Sequence, residues 1–565
     1  MSAVDAATSF ARVLADEWVR NGVEFAVVCP GSRNTPLSLA LVRDGRIQVD
    51  IVLDERSAAF RALGVGLATG RPAVVCCTSG TAAVNLHPAV AEAHHARVPL
   101  LVCTADRPAE LHDWGAGQTI EQARLFGDAV RWFHDPGPPE ATADANARWR
   151  ALACRAVSHT CGPPAGPVHL NLPFREPLVP TGAPLADTPG RAHGSPWVRT
   201  TGVPRFPRPE DVDELAELVG GTTRGVLVAG WGAGVDPGVV GAFARATGWP
   251  VLADPLSQLR TGAHCVSTYE ALLRVDAFAA AHRPDLVVRV GAPLTSKVAN
   301  AWLDGVETIL FDPDDVWLDP GHAAFERIAA DPVSFLPALT GSLPVDIEPD
   351  WLEAWRAADA SASAAIATVL ERNVACEARI ARDVAESVPS GGTLLVASSL
   401  PVRALEWCMA PRTGLRVLAN RGANGIDGFV STAFGAAGAT AEPVVALCGD
   451  LCFLHDTNGL LNGSAPLTFV VVDNDGGGIF EYLPQRDLPE FEALFATPPR
   501  VDVVAVARAH GVAAERVEPA TLPKLVAEGG DAARVLVVDV DRHAAREQHR
   551  RLWNAVATAI GAGAA

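Results

Sequence analysis

The alternation of short apolar runs with helix-length segments constrains this chain more than any other feature of its sequence. Apolar runs bounded by Gly, Ser or Asp read as parallel strands buried on both faces, and the segments between them read as crossover helices. In the first third the predicted strands are Phe25–Cys29, Gln48–Val52, Ala73–Thr78 and Leu100–Thr104, and the block closes at Pro167–Leu178. A Pro- and Gly-rich stretch without periodicity, from Val179 to about Pro209, reads as a linker. A second block, from about Asp211 to Thr340, has strands at Gly225–Ala229, Leu286–Val290 and Thr308–Phe311. A break at Gly341–Asp350 precedes one predicted helix from about Trp351 to Val388. The last block has strands at Leu394–Ala397, Val444–Cys448, Leu467–Val472 and Val535–Val538. The expected fold class is α/β, with three doubly wound parallel-sheet domains over residues 1–185, 205–345 and 351–565.

The first and last blocks echo each other weakly. A strand, a loop-helix and a second strand recur with ends 26 residues apart (Thr78 to Thr104) and 24 apart (Cys448 to Val472). Open parallel sheets bind ligands outside the carboxyl ends of their strands, so the loops after these runs are where chemistry is expected.

Composition narrows the classes of function. The 565 residues carry a formal charge of −19, so no broad phosphate-neutralising surface exists and nucleic acid is not an expected partner. With 49% apolar and 20% charged residues the chain is an ordinary globular one. No apolar run approaches the roughly 18 residues needed to span a bilayer, so membrane insertion is not expected. Met1–Phe10 carries Asp5 and no basic segment followed by an apolar run, so no secretory leader is expected. The eleven cysteines form no C-x-x-C pair and mostly sit in apolar runs, which reads as reduced, buried thiols of a cytoplasmic protein.

Two loops at adjacent strand ends suggest a cation. Gly449-Asp450-Leu451 follows one strand, and Asp473-Asn474-Asp475-Gly476-Gly477-Gly478 follows the next. Asp450 offers a carboxylate oxygen, Asn474 an amide oxygen and Gly476 a backbone carbonyl, a set that suits Mg²⁺ completed by a phosphate-bearing partner and water. The same residues also suit two turns that cap helices, and spacing alone leaves both readings open.

Longer runs carry a resemblance. Pro30-Gly31-Ser32-Arg33-Asn34-Thr35-Pro36-Leu37, Asp54-Glu55-Arg56-Ser57-Ala58, Thr78-Ser79-Gly80-Thr81-Ala82, Thr104-Ala105-Asp106-Arg107-Pro108 and Gly115-Ala116-Gly117-Gln118-Thr119-Ile120 stand in order in the first block. Asn420-Arg421-Gly422-Ala423-Asn424-Gly425-Ile426-Asp427-Gly428 and Gly449-Asp450-Leu451 stand in the last. Together they resemble the 2-succinyl-5-enolpyruvyl-6-hydroxy-3-cyclohexene-1-carboxylate (SEPHCHC) synthase family of thiamin-diphosphate (ThDP) enzymes. Leu451 replaces the usual third Gly of the ThDP fingerprint, as is common in this family. Asp473 replaces the usual first Asn, and its role is not apparent.

The resemblance implies a pyrimidine-binding, a central and a diphosphate-binding domain, with ThDP and Mg²⁺ (or Mn²⁺) as cofactors. It implies decarboxylation of 2-oxoglutarate and 1,4-addition of the succinyl carbanion to isochorismate, a step of menaquinone synthesis. Glu55 is the implied catalytic acid, bonded to the pyrimidine N1′; taken alone, a Glu in Asp-Glu-Arg reads as a helix-start or ion-pair residue. The metal set is Asp450, Asn474 and Gly476. Pro30, Thr78, Gly80 and Ser399 are implied cofactor contacts, with Gly449, Leu451 and Ile479 beside the metal set and Ile426 as the apolar wedge under the bent cofactor. For the two dianionic substrates the implied clamps are Arg33, Arg107, Lys297, Arg403 and Arg421, helped by Ser32 and Gln118. Arg suits this work because its planar fork pairs bidentately with carboxylate. Lys297 is one of only two lysines among 46 basic side chains. Phe480 and Leu483, with Ile479, are the implied apolar lining. The family arrangement sets Glu55 of one chain against Asp450 of its partner, implying a homodimer, with a dimer of dimers left open.

Two other readings were weighed. A simpler ThDP 2-oxoacid decarboxylase or acetohydroxyacid-type synthase needs fewer cationic clamps, and the latter needs a flavin. A catalytically silent ThDP-fold protein would not need Glu55, Asp450 and Asn474 together. In the middle block Gly230-Trp231-Gly232-Ala233-Gly234 resembles a dinucleotide loop, but Val235 stands where a third Gly is required, so it reads as scaffold. His94, His95 and His455 have no metal-ligand spacing and read as solvated or core residues.

Overall fold

A computed structural model describes residues 4–202, 205–343, 349–371, 375–461, 463 and 465–562. Three all-parallel sheets follow one another along the chain. The first has β1 (Phe25–Val28), β2 (Gln48–Ile51), β3 (Ala73–Cys77), β4 (Leu100–Asp106), β5 (Trp132–His134) and β6 (Pro167–Pro173) in the order β2-β1-β3-β4-β6-β5. The second has β7 (Gly225–Ala229), β8 (Val251–Ala253), β9 (Leu286–Val290), β10 (Glu307–Phe311) and β11 (Ala324–Ile328) in the order β11-β10-β9-β7-β8. The third has β12 (Thr393–Val396), β13 (Arg416–Leu418), β14 (Val444–Gly449), β15 (Thr468–Asp473), β16 (Ala513–Arg516) and β17 (Arg534–Asp539), ordered β13-β12-β14-β15-β17-β16. The first and third orders are the same pattern, so the weak echo in sequence is a repeated topology.

The apolar runs form strands because both faces of each sheet are covered. β3, β4 and β9 are buried at every residue. Strand β6 escaped the periodicity because it has proline at each end and carries His169 and Asn171 inside. Its polar side chains pair inside the fold, where Thr104 Oγ1 lies 2.8 Å from His169 Nε2 and donates to Asn171 Oδ1 over 2.9 Å, while His169 Nδ1 has no partner.

One expected element is different. The single helix from Trp351 to Val388 is two helices, Pro349–Leu370 and Glu377–Ser387, with residues 372–374 outside the described residues. Cys376, at the N-terminal boundary of the second helix, is extended (φ −152°, ψ 158°) and buried. The break expected at Gly341–Asp350 falls largely on residues 344–348, also outside the described residues. Ten of the eleven thiols are buried as expected, and Cys161 is exposed.

The first and third units meet helix to helix. Glu55–Thr69 lies against Phe429–Gly438 so closely that a Cβ on Gly64 would sit 2.1 Å from the Thr432 carbonyl oxygen. A Cβ on Gly435 would sit 2.0 Å from the Arg61 carbonyl oxygen, so only glycine fits at either position. Arg97 of the first unit reaches the glycine loop of the second, lying over Trp231 at 5.3 Å and pairing with Asp314 at 3.0 Å.

Candidate active site

In the strand order of the first and third sheets, the chain reverses direction across the sheet between the first and third strands of each unit, the switch point where a crevice opens. Pro30 to Arg33 follow β1 and Thr78 to Gly80 follow β3, so both loops stand at the first switch point. Ser399 follows β12 and Asp450 follows β14, so they stand at the third.

Asp450 is almost fully buried and accepts the Leu451 N–H at 2.8 Å and the Gly476 N–H at 2.7 Å. Burial pushes its carboxyl up to about 7, those two N–H groups oppose the rise, and Asp473 and Asp475 add to it. Asn474 is buried and donates from Nδ2 to Glu377 Oε1 at 2.9 Å, whereas its Oδ1 has no hydrogen-bond partner. A buried amide oxygen without a partner is unfavourable unless a ligand completes it. The Gly476 carbonyl accepts the Gly478 N–H at 2.9 Å and keeps a second lone pair. Gly476 itself has φ +121°, and a Cβ there would meet the Ala496 carbonyl at 2.0 Å. One carboxylate, one open amide oxygen and one carbonyl fit a hard cation that takes its remaining oxygens from a diphosphate and water. Among the described residues no group of three His, Cys, Asp or Glu forms a metal cage, so such a cation would need those outside oxygens. Asp473 has a structural role: its carboxylate pairs with Arg516 at 3.2 Å.

Glu55 is the first residue of its helix and half-buried, and its side chain makes no hydrogen bond or ion pair with another described residue. Its neighbours are anchored on both sides. Asp54 caps the helix, accepting the Arg56 N–H at 2.9 Å and Asn458 Nδ2 at 2.8 Å, and Ser57 donates to Asp456 at 3.0 Å. The backbone at Glu55 is therefore fixed while its carboxyl is free to act. Ile426 is half-buried against the apolar core of the third unit, and Cys452 Sγ donates to its carbonyl at 3.2 Å.

The cations fall into two groups. Arg107 donates to Ser79 Oγ and, at 3.1 Å, to the Gln118 carbonyl, while Arg33 is buried, donates to the Phe174 carbonyl at 2.8 Å and pairs with Glu176 at 3.4 Å. Burial and then repulsion from Arg33 hold the Arg107 guanidinium below its ordinary range. In the third unit, burial and then Arg421 hold Arg403 down, and burial does the same to Arg421. Arg403 donates to the Ser399 carbonyl and Arg421 reaches Thr295 Oγ1 at 3.4 Å; neither has an ion pair among the described residues. Ser399 has φ +77°, a strained value for a residue with a side chain. Lys297 is exposed at the start of the helix Lys297–Trp302, two residues after Thr295. Ser32 is exposed, and Ile479, Phe480 and Leu483 are half-buried.

Three polar residues at this site escaped the sequence. Gln122 is buried and its Oε1 accepts the Gly80 N–H at 2.9 Å. Glu92 accepts the Gly422 and Ala423 N–H groups, both at 2.7 Å, and so holds the loop that carries Arg421. Glu377 is the partner of Asn474. Each acts on a residue distant in sequence, so no local motif marked it.

Comparison with known proteins agrees with this architecture. Residues 8–125 match the family "Thiamine pyrophosphate enzyme, N-terminal TPP binding domain", residues 192–396 "Middle domain of thiamine pyrophosphate" and residues 407–540 "Thiamine pyrophosphate enzyme, C-terminal TPP binding domain". A SEPHCHC synthase of Myxococcus xanthus is 43% identical over 582 residues, covering 98% of each chain. That of Thermobifida fusca is 45% identical over 98% of this chain and 99% of the relative. That of Halobacterium salinarum is 41% identical over the same shares.

Proposed function

Because the chain belongs to the SEPHCHC synthase family of ThDP-dependent transferases, we propose that it decarboxylates 2-oxoglutarate and joins the succinyl unit by 1,4-addition to isochorismate, within menaquinone synthesis. The observation that carries this reading is the pair Arg403 and Arg421, half-buried guanidiniums with no ion pair among the described residues, at the same sheet end as Asp450. In a protein of charge −19, two partly desolvated cations that repel each other are a ready receptor for a dianion.

Bound ThDP supplies the electron sink for the decarboxylation. Asp450, Asn474 Oδ1 and the Gly476 carbonyl hold Mg²⁺, with Mn²⁺ an alternative. Gly449 and Leu451 border that cation, and Pro30, Thr78, Gly80 and Ser399 contact the cofactor from the two switch points. Ile426 braces it from below, and Glu55 holds or releases a proton at the pyrimidine N1′. Arg33, Arg107, Ser32 and Gln118 orient one dianion from the first unit, and Lys297, Arg403 and Arg421 receive carboxylates from the other side. Ile479, Phe480 and Leu483 exclude water from the reacting carbon. The acting unit is a homodimer in which Glu55 serves the partner's cation site. The exposure of Leu53 (70%), beside Glu55, and of Trp114 (83%), in the loop between Arg107 and Gln118, supports cover by a second copy. Among the described residues no helix is long and apolar enough to cross a membrane, and we assign the enzyme to the cytoplasm. The domain limits proposed are residues 1–185, 205–345 and 351–565.

The test is incubation with ThDP, Mg²⁺ and 2-oxoglutarate, with and without isochorismate, following CO₂ and product mass. Formation of the adduct only with isochorismate is the expected result; CO₂ release of equal rate without it would favour a simple decarboxylase. Within that assay, Arg107→Ala is expected to lower kcat/KM by about 10- to 100-fold, the loss of a charge-assisted hydrogen bond or more. ThDP affinity should stay near wild type, and Arg107→Lys should rescue only partly because it lacks the fork. A fall in ThDP affinity alone would move Arg107 to the cofactor site.

A further inference from the structure

We infer that Glu377 is a positioning residue for the cation site: it fixes which end of the Asn474 amide faces the metal. This rests on the proposed metal role of Asn474. The two ends of a side-chain amide are nearly the same size, so packing alone does not distinguish Oδ1 from Nδ2. Only the oxygen can ligate a cation, and the NH₂ end would repel it. Something must therefore set the orientation before the cation arrives.

Glu377 is placed to do so. It is the first residue of the helix Glu377–Ser387, is buried, and its Oε1 accepts from Asn474 Nδ2 at 2.9 Å. Turning the amide over would set Oδ1 against Oε1, two acceptors in contact. As a carboxylate, Glu377 only accepts, so it offers the turned amide no hydrogen in return. A second contact limits the amide from the loop side. A Cβ on Gly478 would lie 2.3 Å from Asn474 Nδ2, so the Gly478 backbone is pressed against the same end. The far end, Oδ1, is buried with no partner. The amide is thus held by its nitrogen and left open at its oxygen. The extended Cys376 stands immediately before Glu377 at the start of this helix.

Outer residues that orient metal ligands typically change metal affinity by about 10–100-fold when removed. The experiment is a Mg²⁺ titration of ThDP binding, followed by intrinsic fluorescence in the full-length protein. Glu377→Leu removes the acceptor and, with it, a buried carboxylate whose Oε2 has no partner, a gain that offsets the Nδ2 it leaves unpaired. Its half-saturating Mg²⁺ concentration is expected to rise about 10–100-fold, with the thermal midpoint of the metal-free protein close to wild type. Glu377→Gln keeps a carbonyl oxygen at the same reach but adds an NH₂ that can pair with a turned amide, so it should be impaired, though less than Glu377→Asp. Glu377→Asp keeps the charge but withdraws the acceptor, and should be impaired. If Glu377→Leu does not fold, the Gln and Asp variants decide by that contrast. Unchanged Mg²⁺ dependence in the Leu variant, or Gln and Asp variants equally impaired, overturns the positioning role. Asp450→Ala run alongside separates the two readings: if it loses Mg²⁺ dependence while Glu377→Leu keeps it, the cation site stands and the inference about Glu377 falls. If both keep it, the cation site itself is misassigned.

Discussion

Glu55→Gln is expected to leave the fold and the uptake of ThDP intact while lowering kcat by about 10²–10⁴-fold, the range of a lost general acid–base group. Structure should survive because the Glu55 side chain has no partner to lose, and the anchors on either side belong to Asp54 and Ser57. An amide can hydrogen-bond to the pyrimidine N1′ but cannot take up and release a proton there. The direct reading is hydrogen–deuterium exchange at the thiazolium C2 of the bound cofactor, measured by quenched NMR. Exchange at the wild-type rate in the variant would remove Glu55 from this role whatever its effect on turnover.

Asp450→Ala is expected to abolish Mg²⁺-dependent ThDP binding, a larger effect than the 10–100-fold typical of outer-shell changes. The variant loses a carboxylate ligand and the acceptor for both the Leu451 and Gly476 N–H groups. Asp450→Asn separates these losses, since an amide oxygen retains an acceptor for the loop without the charge. Isothermal titration of ThDP at fixed Mg²⁺ measures both, and unchanged affinity in Asp450→Ala removes Asp450 from the ligand set. A pH dependence follows from the same residue. Without a cation its carboxyl titrates near 7, so below that pH a proton must be displaced by the metal. Apparent Mg²⁺ affinity should therefore fall by about tenfold per pH unit on acidification below this value and level off above it. The metal-free fold behaves oppositely: the stability contributed by Asp450 is full below its ordinary value of 3.8 and is lost as pH rises through about 7.

The sequence disclosed most of the frame because fully buried parallel strands must be written as uninterrupted apolar runs, as at Ala73–Cys77 and Leu286–Val290. It marked the loops after β14 and β15 as the ends of adjacent strands but left a cation site and a pair of helix-capping turns both open, and only the longer runs that resemble the family favoured the first. It concealed β6, whose His169 and Asn171 are paired inside the fold and so break the apolar pattern without exposing polarity. It concealed Glu92 and Glu377 for a different reason. Their partners lie 330 and 97 residues away, and an acid within a helical stretch looks the same whether it faces water or a distant loop. Asp473 was puzzling only while Arg516, 43 residues on, was not known to be beside it.

The near-contact of backbones at Gly64 and Gly435 removes a degree of freedom from the molecule. Where side chains separate two helices, rotamer changes can absorb a small slide; here a carbonyl meets a bare Cα, and there is nothing to rearrange. The helix that starts at Glu55 and the helix that starts three residues after Ile426 therefore share one set of rigid-body coordinates. Because the proposed homodimer puts Glu55 at the partner's cofactor and Ile426 at its own chain's, this axle would tie the two active sites to each other rather than an acid to its own wedge.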